Sequence, residues 1–147
     1  MNKKILSIIF SLFLVGVFSV SCSNSDKTGS VDNSKGIEQY NGNIYASENK
    51  GNSYTYYLWL SVKDNKVASY FKDDNTTIPE QEFNDSTRYI DVEGSGSKYT
   101  CKGFGDEFRE FTLEFSEDGS AVTAHVVLVG QDGSVTADEL FKCVKKN

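Results

Sequence analysis

Glu110-Phe111-Thr112-Leu113-Glu114-Phe115 places Phe111, Leu113 and Phe115 on one side of an extended chain and Glu110, Thr112 and Glu114 on the other, because successive side chains of a strand point to opposite faces. This alternation predicts a strand with one dry side and one wet side. The run continues through Ser116-Glu117-Asp118-Gly119-Ser120 into Ala121 to Val129, where Val122, Ala124, Val126 and Leu128 share a face. Asp-Gly between two alternating runs is a hairpin signal, since glycine accepts the positive φ that such a turn demands.

The same period recurs on both sides. Tyr54 to Val62 and Lys66 to Phe71 form a second hairpin through Lys63-Asp64-Asn65, and Tyr89 to Glu93 pairs with Lys98 to Phe104 through Gly94-Ser95-Gly96-Ser97. Gly42 to Ser47 at the front and Leu140 to Lys145 at the back bring the total to about eight strands, a number that can close a small barrel. The expected class is all-β: a small antiparallel barrel, or a flattened barrel or sandwich. Two segments break the pattern. Lys72 to Thr87 is a long polar connection in which Thr77-Ile78-Pro79-Glu80 matches a helix capping box, predicting a helical turn from Pro79 to Phe83. Thr136-Ala137-Asp138-Glu139 is a second match, so Leu140 to Lys145 reads as either a strand or a short helix, with the strand preferred.

Ahead of the strands lie a basic start (Lys3, Lys4), an apolar run from Ile5 to about Val20, and then Ser19-Val20-Ser21-Cys22-Ser23. That order is the order of a secretory signal peptide, and the run is shorter than the roughly 20 residues a spanning helix needs. At Cys22 the sequence resembles the lipobox of bacterial lipoproteins, in which a small residue precedes a cysteine that receives diacylglycerol and becomes the mature N-terminus. It differs at Ser19, where that family mostly carries Leu. Ser19 and Ser21 also form a small-x-small pair that an ordinary signal peptidase could cut. The resemblance implies residues 1–21 as a leader, Cys22 as a lipidated (palmitate-type) anchor, and an exported, membrane-attached protein, at the outer membrane if the organism has one. Ser23 to Gly36 is polar and nearly free of apolar residues, so 22–39 reads as a flexible tether and 40–147 as one domain.

The formal net charge of the chain is −6, and removing the leader takes away Lys3 and Lys4 but no acid. An acidic surface repels phosphate backbones, which argues against a nucleic-acid partner. Aromatic residues make up 13% of the chain and Pro79 is the only proline, a composition suited to strands.

With Cys22 lipidated, Cys101 and Cys143 remain as an even pair in an oxidising compartment, which predicts a disulfide closing a loop of roughly 40 residues. Two buried thiols are the alternative. In a simple meander the two strands would not be neighbours, so the bridge requires a flattened barrel or a final segment that crosses back. His125 is the only histidine, falls opposite Val122, Ala124 and Val126, and lacks a paired zinc-ligand spacing, so it reads as a solvent-facing strand residue. Asp132-Gly133-Ser134-Val135-Thr136-Ala137-Asp138-Glu139 copies the second half of a calcium loop, but its first ligand positions would be Leu128 and Gly130, which offer no side-chain oxygen. No G-x-S-x-G elbow occurs, and Asp73, Asp74, Glu80, Glu82, Asp85 and Glu107 show no spacing that singles out a catalytic pair. We therefore expect no enzyme, no cofactor and no metal.

Tyr57 and Trp59 alternate away from Tyr56, Leu58 and Leu60. Either the first pair is an exposed aromatic site or Trp59 is core with the faces reversed. Ser95-Gly96-Ser97-Lys98-Tyr99, followed by Gly105-Asp106-Glu107, is similar to motifs of bacterial lysozyme-inhibitor lipoproteins, although the family's early cysteine is missing. That likeness implies Ser95 and Lys98 as contacts in a loop that blocks a partner enzyme. In layout the chain also resembles small lipocalin-like barrels of bacterial lipoproteins, without their G-x-W entry motif. The leading expectation is a non-enzymatic binding module for a small ligand or an envelope or host component, and the alternative is an inhibitor or accessory protein. A cavity lined by Tyr54, Tyr56, Phe111 and Leu113 would favour the first; a packed interior with a protruding loop at Lys98 would favour the second.

Overall fold

Asp64 and Asn65 both adopt left-handed backbone, with φ of 52° and 63°, the pair of positive angles that lets a two-residue turn follow the right-handed twist of its strands. The turn joins strands β2 (Tyr57–Lys63) and β3 (Lys66–Lys72), which stay in register over their whole length from Lys63↔Lys66 to Tyr57↔Lys72. Gly96 plays the equivalent role, with φ 62°, between β4 (Ile90–Ser95) and β5 (Lys98–Cys101). Gly119, φ 66°, lies in the connection of β6 (Phe108–Phe115) to β7 (Ala121–Val129). With β1 (Ile44–Ser47) and β8 (Val135–Lys145), these strands form an antiparallel barrel closed in sequence order, each strand beside its chain neighbour and β8 back against β1. These features come from a computed structural model that describes residues 32–147. The leader, Cys22 and the tether as far as Val31 lie outside the described residues.

The expected strands are therefore present, and the barrel is the form taken. Leu140 to Lys145 is strand, and β8 begins earlier, at Val135. Its capping-box match is overridden because alternate residues Ala137, Glu139, Phe141 and Cys143 turn inward and fill the wall. The other match does lie beside a helix, α1 (Glu80–Asn84), but Pro79 sits at its N-cap and no side chain caps it.

An up-and-down meander puts the β2–β3, β4–β5 and β6–β7 turns at one end and the longer connections at the other. The short-turn end is sealed. A 3-10 turn at Ile37–Tyr40 tucks beneath it, and the Tyr40 ring stacks on Phe115 with centroids 3.8 Å apart. The Tyr40 and Tyr99 hydroxyls both donate to the Gly96 carbonyl, at 3.0 and 2.8 Å, and Tyr45 donates to Gly119 at 2.8 Å. Packing thus begins earlier than the expected boundary at residue 40: Ile37 is buried, and the Lys35 carbonyl accepts from the Gly96 amide.

Above this seal the interior is filled by Leu58, Leu60, Val62, Val67, Phe111, Leu113, Val122, Ala124 and Val126. A second, smaller core lies outside the wall. Ala46, Trp59 and Ala68 are roofed by Phe83, with Ile44, Tyr70, Ile78 and Tyr89 around them. The Trp59 indole N–H donates to the Asp74 carbonyl at 2.8 Å, satisfying the polar end of an otherwise apolar ring. The polar Lys72–Thr87 connection is therefore a cover for one outer face.

Cys101 and Cys143 are free thiols, which corrects the expected disulfide. Both face the interior, but β5 pairs only with β4 and β6, and β8 only with β7 and β1, so the strands that carry them are not neighbours. Burial pushes both thiols up to about 12, which suppresses the reactive thiolate. A water-soluble maleimide should leave the folded domain unlabelled and add to both cysteines after denaturation without reductant. A protein that resists alkylation when denatured, and whose mass is short by two hydrogens, would restore the bridge.

Candidate binding cleft

The wall is incomplete on one side. The β3–β4 ladder consists of Lys66↔Asp91 and Val67↔Ile90 alone, and the β5–β6 ladder ends at Thr100↔Thr112. The β4–β5 hairpin is too short to reach the long-loop end, so among the described residues no strand lies between the upper parts of β3 and β6. A cleft of about 500 Å³ occupies the gap, lined by Ser69, Tyr70, Phe71, Arg88, Ile90, Phe104 and Phe108 among others. That size lies within the range of roughly 300–1,000 Å³ common for ligand pockets.

Two local devices bring aromatic rings to this mouth. Period-2 counting from Phe111 would point Phe108 outward, but a bulge between Phe108 and Glu110 adds one residue to β6, and a bulge re-aims the side chain it precedes. Phe108 therefore stacks parallel to Phe111 at 6.0 Å, and Phe104 joins them at 5.3 and 4.8 Å. Across the gap, Phe71 packs against Tyr54 and Phe141, each at 6.0 Å. Arg88 lies 5.6 Å from the Tyr70 ring at the outer lip and pairs with Glu82 and Asp85.

Beside the cleft, the β1–β2 loop bends over the end of the barrel and is held there by a carboxylate. Glu139 faces inward and is 3% exposed. It accepts from the Asn52 amide at 3.0 Å and from the Ser53 amide. Burial pushes its pKa up, but the Asn52 and Ser53 amides outweigh that and hold it below the usual carboxylate value. Gly51 makes the close approach possible, since a Cβ there would come within 3.0 Å of the Phe141 ring.

The residues singled out in the sequence do not converge here. Trp59 lies on the outer face of the wall but is fully buried there under the Asp74–Phe83 cover, so it is neither an exposed site nor part of the barrel interior. Tyr57 is half-buried beside Lys50, whose ammonium lies 5.4 Å from its ring. Ser95 and Lys98 lie at the sealed end, where the Gly96 carbonyl takes up the Gln39 amide and two tyrosine hydroxyls, and Lys98 pairs with Glu114 at 3.2 Å. Of the four expected cavity residues, Phe111 and Leu113 are packed core, Tyr54 borders the mouth and Tyr56 is exposed.

His125 does face outward, between Asp138 at 2.8 Å and Glu110 at 3.3 Å. The hydrogen bond to Asp138 raises its pKa, burial opposes this, and Glu110 adds to the rise. Among the described residues no cluster of His, Cys, Asp and Glu is arranged to hold a metal ion. The calcium-like stretch is divided between a hairpin connection, in which Asp132 accepts from Ser134, and the start of β8 at Val135.

The cleft residues Tyr70, Phe71, Arg88, Phe104 and Phe108 went unnoticed in the sequence. The available signal was Lys102-Gly103-Phe104-Gly105, whose flanking glycines mark Phe104 as a loop residue rather than the end of a strand.

Glu139→Gln should weaken the hold on the β1–β2 loop by about 1.5–3 kcal/mol, the worth of a hydrogen bond to a charged group, and speed hydrogen exchange at the Asn52 and Ser53 amides. Because the folded carboxyl titrates below its unfolded value, the tie is intact above the ordinary carboxylate range and is lost as pH falls through the depressed pKa. The protection of these two amides, taken relative to the intrinsic exchange rate at each pH, should fall on acidification in the native protein and change less in the variant. Comparison with protein-family models, with curated proteins and with solved structures gave no match.

Proposed function

We propose that this chain is a non-enzymatic binding protein, exported and tethered to the cell envelope through lipid on Cys22, whose site is the cleft in the upper wall. The observation that supports this reading is the concentration of half-buried Tyr70, Phe71, Phe104 and Phe108 at a break in the wall of a barrel whose interior is packed. Aromatic surface left half-covered around a concavity has an unused capacity to desolvate a partner. The ligand is a small apolar molecule or an apolar part of an envelope or host component. A blocking role for the Ser95–Lys98 turn has less support, because Gln39, Tyr40 and Tyr99 tie that turn down.

N-phenyl-1-naphthylamine, a neutral apolar fluorophore, should brighten saturably with the purified domain. Phe104→Ser and Phe108→Ser should each weaken its binding about tenfold, near 1.4 kcal/mol, while Trp59→Phe leaves it unchanged. Equal binding by all three variants would move the site elsewhere.

The tether is tested separately. Cys22→Ala should abolish partition of the expressed protein into a detergent phase and leave an uncut precursor. Normal processing of the variant, with an aqueous wild type, would refute the anchor and leave the cleft unaffected.

A further inference from the structure

We infer that the cleft's occupant is an extended peptide segment, added to the open edge of β3 as an extra strand. This rests on the binding reading above and gives the partner its chemistry. In the β2–β3 ladder the residues flanking the two-residue turn, Lys63 and Lys66, bond to each other, so Lys66, Ala68, Tyr70 and Lys72 direct their main-chain groups toward β2. The alternation is confirmed on the far side of β2, where Val62 exchanges its groups with Gly42 and Asn43 rather than with β3. Val67, Ser69 and Phe71 therefore point the other way. Val67 meets Ile90, and there the β3–β4 ladder stops. The N–H and C=O of Ser69 and Phe71 face the cleft, and among the described residues no strand lies opposite them.

Two donor–acceptor pairs two residues apart, on a flat edge, match the repeat of an extended backbone and of little else. The edge also lacks the usual guards against such pairing. Neither Ser69 nor Phe71 is charged or proline, and the β2–β3 register carries no bulge. The lining sets the side-chain preference. Residues of the added strand that point inward would meet Phe71, Phe104 and Phe108, and those pointing outward would meet Tyr70, Arg88 and solvent. The segment recognised is one in which apolar residues alternate with polar ones.

The probe is a pooled library of acetylated, amidated pentapeptides without proline or cysteine, compared with the same library N-methylated at every backbone amide. With 15N-labelled domain, the first pool should shift the Ser69 and Phe71 amides and slow their hydrogen exchange. The methylated pool, deprived of backbone donors along both edges, should bind at least about tenfold more weakly. Ser69→Pro should keep the fold, because its N–H has no strand partner and proline is accepted at such an edge, and should lose peptide binding; Ser69→Ala should keep both.

Equal binding of the two pools, or no change at Ser69 and Phe71, overturns the inference. So does a concentration-dependent dimer showing the same amide changes without peptide, which would make a second copy of the chain the occupant. If N-phenyl-1-naphthylamine still binds at Phe104 in those cases, the binding reading stands and only the peptide is refuted. Loss of the fluorophore site would remove both.

Discussion

A sheet closes into a barrel only where every strand has a neighbour on each side, and here the β4–β5 hairpin is the shortest of the three hairpins in the ring. β5 spans Lys98–Cys101, whereas β6 beside it runs from Phe108 to Phe115 and β3 from Lys66 to Lys72. Antiparallel pairing fixes where the short hairpin can sit, since Lys98 must face Glu114 and Val67 must face Ile90. The shortfall therefore falls entirely at the end where the long loops emerge. The cleft, its aromatic lining and the unpaired edge of β3 all follow from that difference in length.

The two ends of the barrel are stabilised by different chemistry. At the short-turn end, tyrosines bury their rings in the core and spend their hydroxyls on the carbonyls of Gly96 and Gly119, so turns and core are joined by one set of side chains. At the other end a single buried carboxylate takes the amides of Asn52 and Ser53. Buried charge with full hydrogen bonding is tolerated, and its loss leaves amides without partners. One end is held by tyrosine rings and by hydroxyls that burial keeps protonated, and the other by an acceptor that acid removes.

Much of this architecture was legible in the sequence because period-2 alternation and turn residues are local signals. Phe111-Thr112-Leu113-Glu114-Phe115 declares its two faces without reference to anything else, and Asp64-Asn65 and Asp118-Gly119 mark turns within a few residues. The site was less legible because each of its parts depends on a non-local fact. Phe108 faces inward through a bulge that counting cannot foresee. Trp59 is covered by a segment that reads as a polar loop. The disulfide expected for Cys101 and Cys143 depended on which strands become neighbours, and parity alone does not give that. Glu139 could have been noticed, since the alternation that turned Phe141 and Cys143 inward carries a carboxylate with them.

The split wall also changes the barrel mechanically. A fully bonded ring of strands is a stiff hoop, and widening it anywhere breaks ladder hydrogen bonds. Here the lower half is such a hoop, while the upper half is a ring with a cut in it. The lips of the cut, upper β3 on one side and the Gly103–Phe108 stretch on the other, can move apart or together without breaking any bond between β3 and β4, whose ladder ends at Val67 and Ile90. The molecule is a split collar on a rigid base, and its compliance is concentrated at the cleft.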